Sequence, residues 1–216
     1  MVLSHEPYPP TFHKICRSIH TRTGASRAEV SRRYTQARKK AEAASWYCGL
    51  MGIETLISVD EYLNTSYDPD VEFVDGVLVE RNVGDWLHSL VQSNIIFALR
   101  RKYPSIKVVP ELRSMVNPTR FRLPDVCVML SAPKTSVLLE PPFVAIEILS
   151  EDDRMTRVIA KLKEYAGIGT PHIWLFDPRP RQMFLFRSNS LLEIEGDLIS
   201  TDNPHLELTR EEVFHE

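Results

Sequence analysis

The chain has 216 residues, 43% of them hydrophobic and 25% charged, enough for one globular domain, or one domain with an appendage, whose core stands without disulfides. No run approaches the roughly 18 apolar residues that cross a bilayer, and the first twenty residues hold charge and Pro where a secretory signal needs an apolar block. Three scattered cysteines, Cys16, Cys48 and Cys127, form no CxxC pair and imply neither a disulfide framework nor a zinc knuckle. The expectation is a non-membrane, cytoplasmic protein.

The net charge of -3 hides a split. Residues 1–50 carry nine Lys/Arg against three Asp/Glu, whereas residues 51–216 carry 17 against 26. The basic segment has sparse apolar residues without sustained period, apart from a short helical pattern over Arg27–Ala44, and predicts no packed core. Three explanations compete: a basic tail that touches nucleic acid, a transit peptide, or translation from a start upstream of the true one. The last is preferred because Met51 opens MGIETLISVDEYL, which is patterned like the beginning of a domain.

From there the elements follow in order. Ser58 and Glu61, in capping-box spacing, predict a helical turn over Ser58–Tyr62. Asp75-Gly76 between apolar flanks predicts a hairpin over Val71–Glu80, because both central residues of a type I′ turn need positive φ. Asp85 is placed to cap a helix Trp86–Tyr103, with Leu87, Val91, Ile95, Ala98 and Leu99 at helical spacing. Strand-like runs cover Ile106–Val116, Leu123–Leu130 and Phe143–Leu149, the last two apolar enough to be central strands. A second helix, Asp153–Gly167, ends at Gly167-Ile168-Gly169, and strands His172–Phe176 and Gln182–Arg187 flank the Asp177-Pro178 turn.

Two carboxylates stand out. Asp125 and Glu147 each lie inside a run that otherwise reads as buried, where an isolated ionised acid costs several kcal/mol unless it is paired or binds a cation. Each taken alone reads as a strand-end acid, wet or bonded to Arg; two on neighbouring strands suit a hard cation such as Mg²⁺. A positively charged partner is available on the following helix. At about 3.3 Å per strand residue and about 1.5 Å per helix residue, Glu147 and Lys161 fall at matching levels. Lys161 and Lys163 flank the apolar face of that helix on opposite sides, and periodicity alone lets either turn inward or remain solvated.

From Val71 to about Arg187 the chain resembles the Uma-two family, a branch of the PD-(D/E)XK, or restriction-endonuclease-like, superfamily. The matching stretches are Glu72 to Glu80, His88, Pro110-Glu111-Leu112, Pro124-Asp125-Val126, Glu147-Ile148-Leu149-Ser150, Lys161-Leu162-Lys163-Glu164-Tyr165 and Trp174-Leu175-Phe176-Asp177-Pro178. The resemblance implies an α/β fold with a restriction-endonuclease-like core, a mixed central β-sheet flanked by helices. It makes Asp125 the Pro-Asp carboxylate and Glu147 the first residue of the (D/E)XK element. The superfamily lysine would stand at Leu149; in this branch it moves to the next helix, which favours Lys161 over Lys163. The resemblance also points to Glu72 as a further acid and to His88, whose alternative is a buried, hydrogen-bonded histidine. Glu111 is an extra ligand or the partner of an Arg, the second being preferred.

The implied activity is a Mg²⁺-dependent endonuclease acting on DNA, with Mn²⁺ able to substitute. Asp125, Glu147 and the Ile148 carbonyl would hold the metal, Lys161 would orient water and stabilise developing charge, and Glu72 and His88 would shape the site. Seven Lys/Arg against one acid between Arg100 and Arg122 suggest phosphate contacts at Arg100, Arg101 and Arg122. The acidic end, Leu191–Glu216, is expected to face away from substrate. A homodimer is left open. Two rivals remain: a catalytically silent nucleic-acid-binding or interaction module on the same fold, and a two-carboxylate glycosidase, which leaves Lys161 without a task.

Overall fold

The structure is a computed structural model that describes residues 56–82 and 84–216. The expectations for residues 1–50 and for Met51 lie outside the described residues. The chain divides into two compact units, described here one at a time.

The described part of the first unit comprises residues 56–80 and 117–121. Ser58 caps helix α1 (Val59–Asn64), its hydroxyl accepting the Glu61 N–H at 3.1 Å. Strands β1 (Glu72–Val74) and β2 (Val77–Val79) form the expected hairpin, with Asp75 at φ 52° and Gly76 at φ 100°. Gly76 suits the turn because its positive φ disfavours a side chain; a Cβ there would meet the Leu56 side chain at 3.2 Å. The start of β5 (Arg120–Arg122) pairs with β1, Phe73 opposite Phe121. The Arg120 guanidinium and the Thr119 hydroxyl both donate to the Asp75 carboxylate, fixing the turn. Tyr62, Phe73 and Phe121 are almost wholly buried and supply the core; the Tyr62 and Phe73 rings stack at 5.0 Å and the Tyr62 hydroxyl donates to the Val71 carbonyl at 2.8 Å.

The second unit, residues 81–116 and 122–216, carries a six-stranded mixed sheet. Its strands are β3 (Lys107–Pro110), β6 (Val126–Met129), β7 (Val144–Ile148), β8 (His172–Asp177), β9 (Gln182–Arg187) and β10 (Ser190–Glu193), in the spatial order β10-β9-β8-β7-β6-β3. Only β7 and β8 run parallel, so they need a crossover, which is helix α3 (Met155–Gly167). Alternation along the central strands sorts their side chains onto two faces. Val144, Ile146, Ile148, Trp174 and Phe176 face one core, shared with helix α2 (Trp86–Lys102). Ala145, Ile173 and Leu175 face the other, under Val158, Leu162 and Tyr165 of α3. Every residue of β6 and β7 is buried, as expected for central strands. Asp85 caps α2 by accepting the His88 N–H at 2.9 Å.

One sequence expectation changes. The run Ile106–Val116 is not one strand: it breaks at Glu111, which adopts φ 49°, into β3 and β4 (Ser114–Asn117). Pro110 lacks the N–H that would continue the ladder, so a turn there is the physical outcome. The acidic end, to which the sequence pattern assigns no elements, is structured. It folds as β11 (Leu198–Ser200), β12 (Glu207–Thr209) and α4 (Arg210–Phe214), burying Ile199, Leu206, Leu208, Val213 and Phe214 in the same core as α2. A full capping box between Thr209 and Glu212 starts α4. None of the described helices is long and apolar enough to cross a membrane.

Candidate functional site

The site forms on the sheet face that meets α3. The register pairs Val126 with Ile146 and Cys127 with Ala145; continued by one residue, it sets Asp125 opposite Glu147, and directly opposed residues project to the same face. Asp125 precedes β6 and Glu147 is the fourth residue of β7, and both are buried, at 4% and 5% exposure. The main chain itself fixes the first of them, because the Ile148 N–H donates to Asp125 Oδ2 at 2.7 Å.

Both acids are met by positive or proton-donating groups. Lys161 lies on α3 with its Nζ 3.2 Å from Glu147 Oε2. One turn later, at the i,i+4 spacing that puts side chains on one helix face, the Tyr165 hydroxyl donates to Glu147 Oε1 at 2.5 Å. Lys163 is exposed. Of the two lysines that periodicity leaves open, Lys161 is therefore the one brought to Glu147. Around Asp125, the Arg81 guanidinium donates to Oδ1 at 2.7 Å and pairs with Glu111 at 2.8 Å. His88, buried on the inner face of α2, sets Nε2 3.3 Å from Asp125 Oδ2. The loop before α2 closes tightly on this imidazole: a Cβ at Gly84 would lie 2.8 Å from His88 Nδ1.

The electrostatics follow from these contacts. Burial alone would push the Asp125 carboxyl up, yet the His88 hydrogen bond and the charges of His88, Lys161 and Arg81 hold it below the ordinary carboxylate value. Burial would likewise lower His88, but Asp125 outweighs it and raises the imidazole above its usual 6.5. Arg81, stabilised by Asp125 and Glu111 against the cost of burial, is held even more firmly protonated than usual. Burial pushes the nearby Cys127 thiol up to about 12, so it is no thiolate nucleophile.

A stability prediction comes from His88. Because its folded-state pKa is raised, the stabilisation from the protonated imidazole is complete below the free value of 6.5 and fades as pH rises through the higher folded value. The advantage of the parent over His88→Gln in thermal melts is thus expected to shrink with rising pH across that window. An advantage that grows with pH would contradict the ion pair.

The structure brings Asp125, Glu147, Lys161 and His88 together, with Ile148 present through its N–H. Glu72 is buried in the first unit, at the start of β1. Glu111 pairs with Arg81, the preferred of its two readings. Arg100 and Arg101 are exposed in the last turn of α2. Arg122 departs from the expected phosphate-facing set: it is buried, with its Nε donating to Glu164 at 2.6 Å, so its charge is already matched inside the protein. Sequence reasoning missed Arg81 and Tyr165. Tyr165 was accessible through its i,i+4 spacing from Lys161. Arg81 carried no local signal, since its partners lie 30 and 44 residues further along the chain.

Among the described residues, no three or more His, Cys, Asp and Glu side chains cluster as a metal-binding group. Two carboxylates suffice for Mg²⁺ when water and substrate phosphate complete its shell, and the hard-oxygen donors of Asp125 and Glu147 fit that chemistry. Their oxygens accept from Arg81, His88, Ile148, Lys161 and Tyr165, so a cation would share these oxygens with the donors or displace some of them.

No curated protein matches the chain. A solved structure described as a putative nuclease belonging to DUF820 from Anabaena variabilis ATCC 29413 superposes with a TM-score of 0.63 at 23% identity, over 73% of this chain and 97% of that one. At that identity the likeness is one of fold: both are mixed α/β proteins of the same architecture. The family model described as "Uma2: Putative restriction endonuclease" matches residues 59–211. With a match over more than two thirds of its length, the chain belongs to the Uma2 family.

Proposed function

We propose that this protein is a divalent-metal-dependent DNA endonuclease of the PD-(D/E)XK type. The observation that carries this reading is the convergence of Asp125, just before β6, with Glu147 of β7 and Lys161 of α3 on one buried sheet face. A bound Mg²⁺ or Mn²⁺ would supply Lewis-acid polarisation of the scissile phosphate, with Asp125 and Glu147 as its protein ligands and the Ile148 carbonyl as the third ligand that the resemblance implies. Lys161 meets the charge that develops on the transferred phosphoryl group, and holds the attacking water for in-line displacement. Tyr165 orients Glu147 through a short hydrogen bond, and His88 with Arg81 orients Asp125. Glu72 is kept as a candidate catalytic residue on the family resemblance alone. Arg100 and Arg101 are proposed phosphate contacts; Arg122 is not.

The test is incubation of the full chain with linear duplex, supercoiled plasmid and single-stranded DNA in Mg²⁺, Mn²⁺ or EDTA. Cleavage with either metal and none in EDTA is expected. A second reading, a silent nucleic-acid-binding module, is favoured by one observation, that the carboxylate oxygens are already satisfied by protein donors. DNA binding without cleavage in either metal would select it.

A further inference from the structure

The outward face of α2 is not used by the proposed chemistry. The helix buries His88, Val91, Ile95, Ala98 and Leu99 on one side. On the opposite side Trp86 and Phe97 are 75% and 63% exposed. At about 100° and 1.5 Å per residue, these two rings fall within about 20° of each other around the helix and about 16 Å apart along it. Beside Phe97 lies an open groove of about 510 Å³ formed by Ser93, Ile96, Phe97, Arg100 and Arg101. The Arg101 guanidinium sits 5.7 Å from the centre of the Phe97 ring. Among the described residues no acid pairs with Arg100 or Arg101, whereas the adjacent Lys102 is held by Glu212 at 2.9 Å. The stripe therefore combines exposed aromatic planes with unneutralised positive charge.

We propose that this face binds an unpaired segment of DNA, its bases stacking on Phe97 and Trp86 and its phosphates meeting Arg100 and Arg101. The proposal rests on the nuclease reading and narrows its substrate to DNA with a single-stranded portion. Base faces are available to side chains only when the bases are unpaired; a duplex buries them in its own stack and would engage the two arginines while leaving the rings idle. A second copy docked face to face on this helix would also cover the rings, but it would bring two more unpaired guanidinium groups into the interface with no acid to meet them.

The test measures binding of the full chain in EDTA, by fluorescence anisotropy, to a short oligothymidylate and to a duplex of equal length. The parent is expected to prefer the single strand. Phe97→Ala, a surface change with an unaltered melt as its control, is expected to weaken single-strand binding by about five- to a hundredfold and leave duplex binding as it was. Arg100→Gln with Arg101→Gln is expected to weaken both and flatten their salt dependence. Unchanged single-strand affinity in Phe97→Ala overturns the proposal, while metal-dependent cleavage by the parent keeps the nuclease reading. A loss of dimer in sedimentation with DNA affinity unchanged assigns the face to a second copy and also overturns it. Failure of the parent to bind or cut any DNA form removes both.

Discussion

Lys161→Ala is expected to lower single-turnover DNA cleavage at saturating Mg²⁺ by about a hundredfold or more, about 2.7 kcal/mol of transition-state stabilisation. Its Nζ stands 3.2 Å from Glu147 Oε2, and the side chain is only 14% exposed, so the charge is desolvated and aimed before substrate arrives. Mn²⁺ affinity should not fall, since the variant removes a positive neighbour from a cation's ligand. Lys163→Ala, at an exposed position of the same helix, should cut as the parent does. Lys161→Arg keeps the charge but replaces a compact ammonium by a planar fork, and should recover activity only in part. Inactivity of Lys163→Ala, or full activity of Lys161→Ala, would overturn the assignment.

Asp125→Asn is expected to abolish Mn²⁺ binding in calorimetry and to destabilise the metal-free protein by about 3 kcal/mol in urea denaturation. The sign of the stability change depends on the contacts. Two buried acids considered alone repel, and neutralising one would steady the fold. In the structure Asp125 is instead the counter-charge of Arg81 and His88, so the Asn variant leaves two buried cations without their main partner. Asp125→Asn combined with Arg81→Met should regain much of the loss, because an apolar replacement removes the stranded charge. Mn²⁺ bound as tightly by Asp125→Asn as by the parent would exclude that residue as a ligand.

Much of this arrangement was legible before any coordinates. The Asp75-Gly76 turn, the Asp85 cap and the apolar runs of β6 and β7 are local signals, written in residue types whose backbone preferences or burial leave few alternatives. The acid pair was legible because a carboxylate within such a run demands an explanation. What remained hidden is non-local or weakly patterned. Arg81 meets Glu111 and Asp125 only after the sheet forms. Arg122 gave the same basic signal as Arg100 and Arg101, and only packing against Glu164 separates them. The strands β11 and β12 have three residues each, too few for a period-2 pattern to emerge from an acidic sequence. The break at Glu111 is the intermediate case: Pro110 announced it, yet the apolar residues on either side read as one strand.

The most direct test of the account compares the parent with Glu147→Gln, purified side by side, for cleavage of one DNA carrying both duplex and single-stranded regions. Glu147 accepts from both Lys161 and Tyr165, and it is a proposed metal ligand, so the whole constellation depends on it. The expected result is cleavage by the parent in Mg²⁺, none in EDTA, and none by Glu147→Gln in either. Equal cleavage by the two proteins, or no cleavage by the parent in any metal, would contradict the proposed active site.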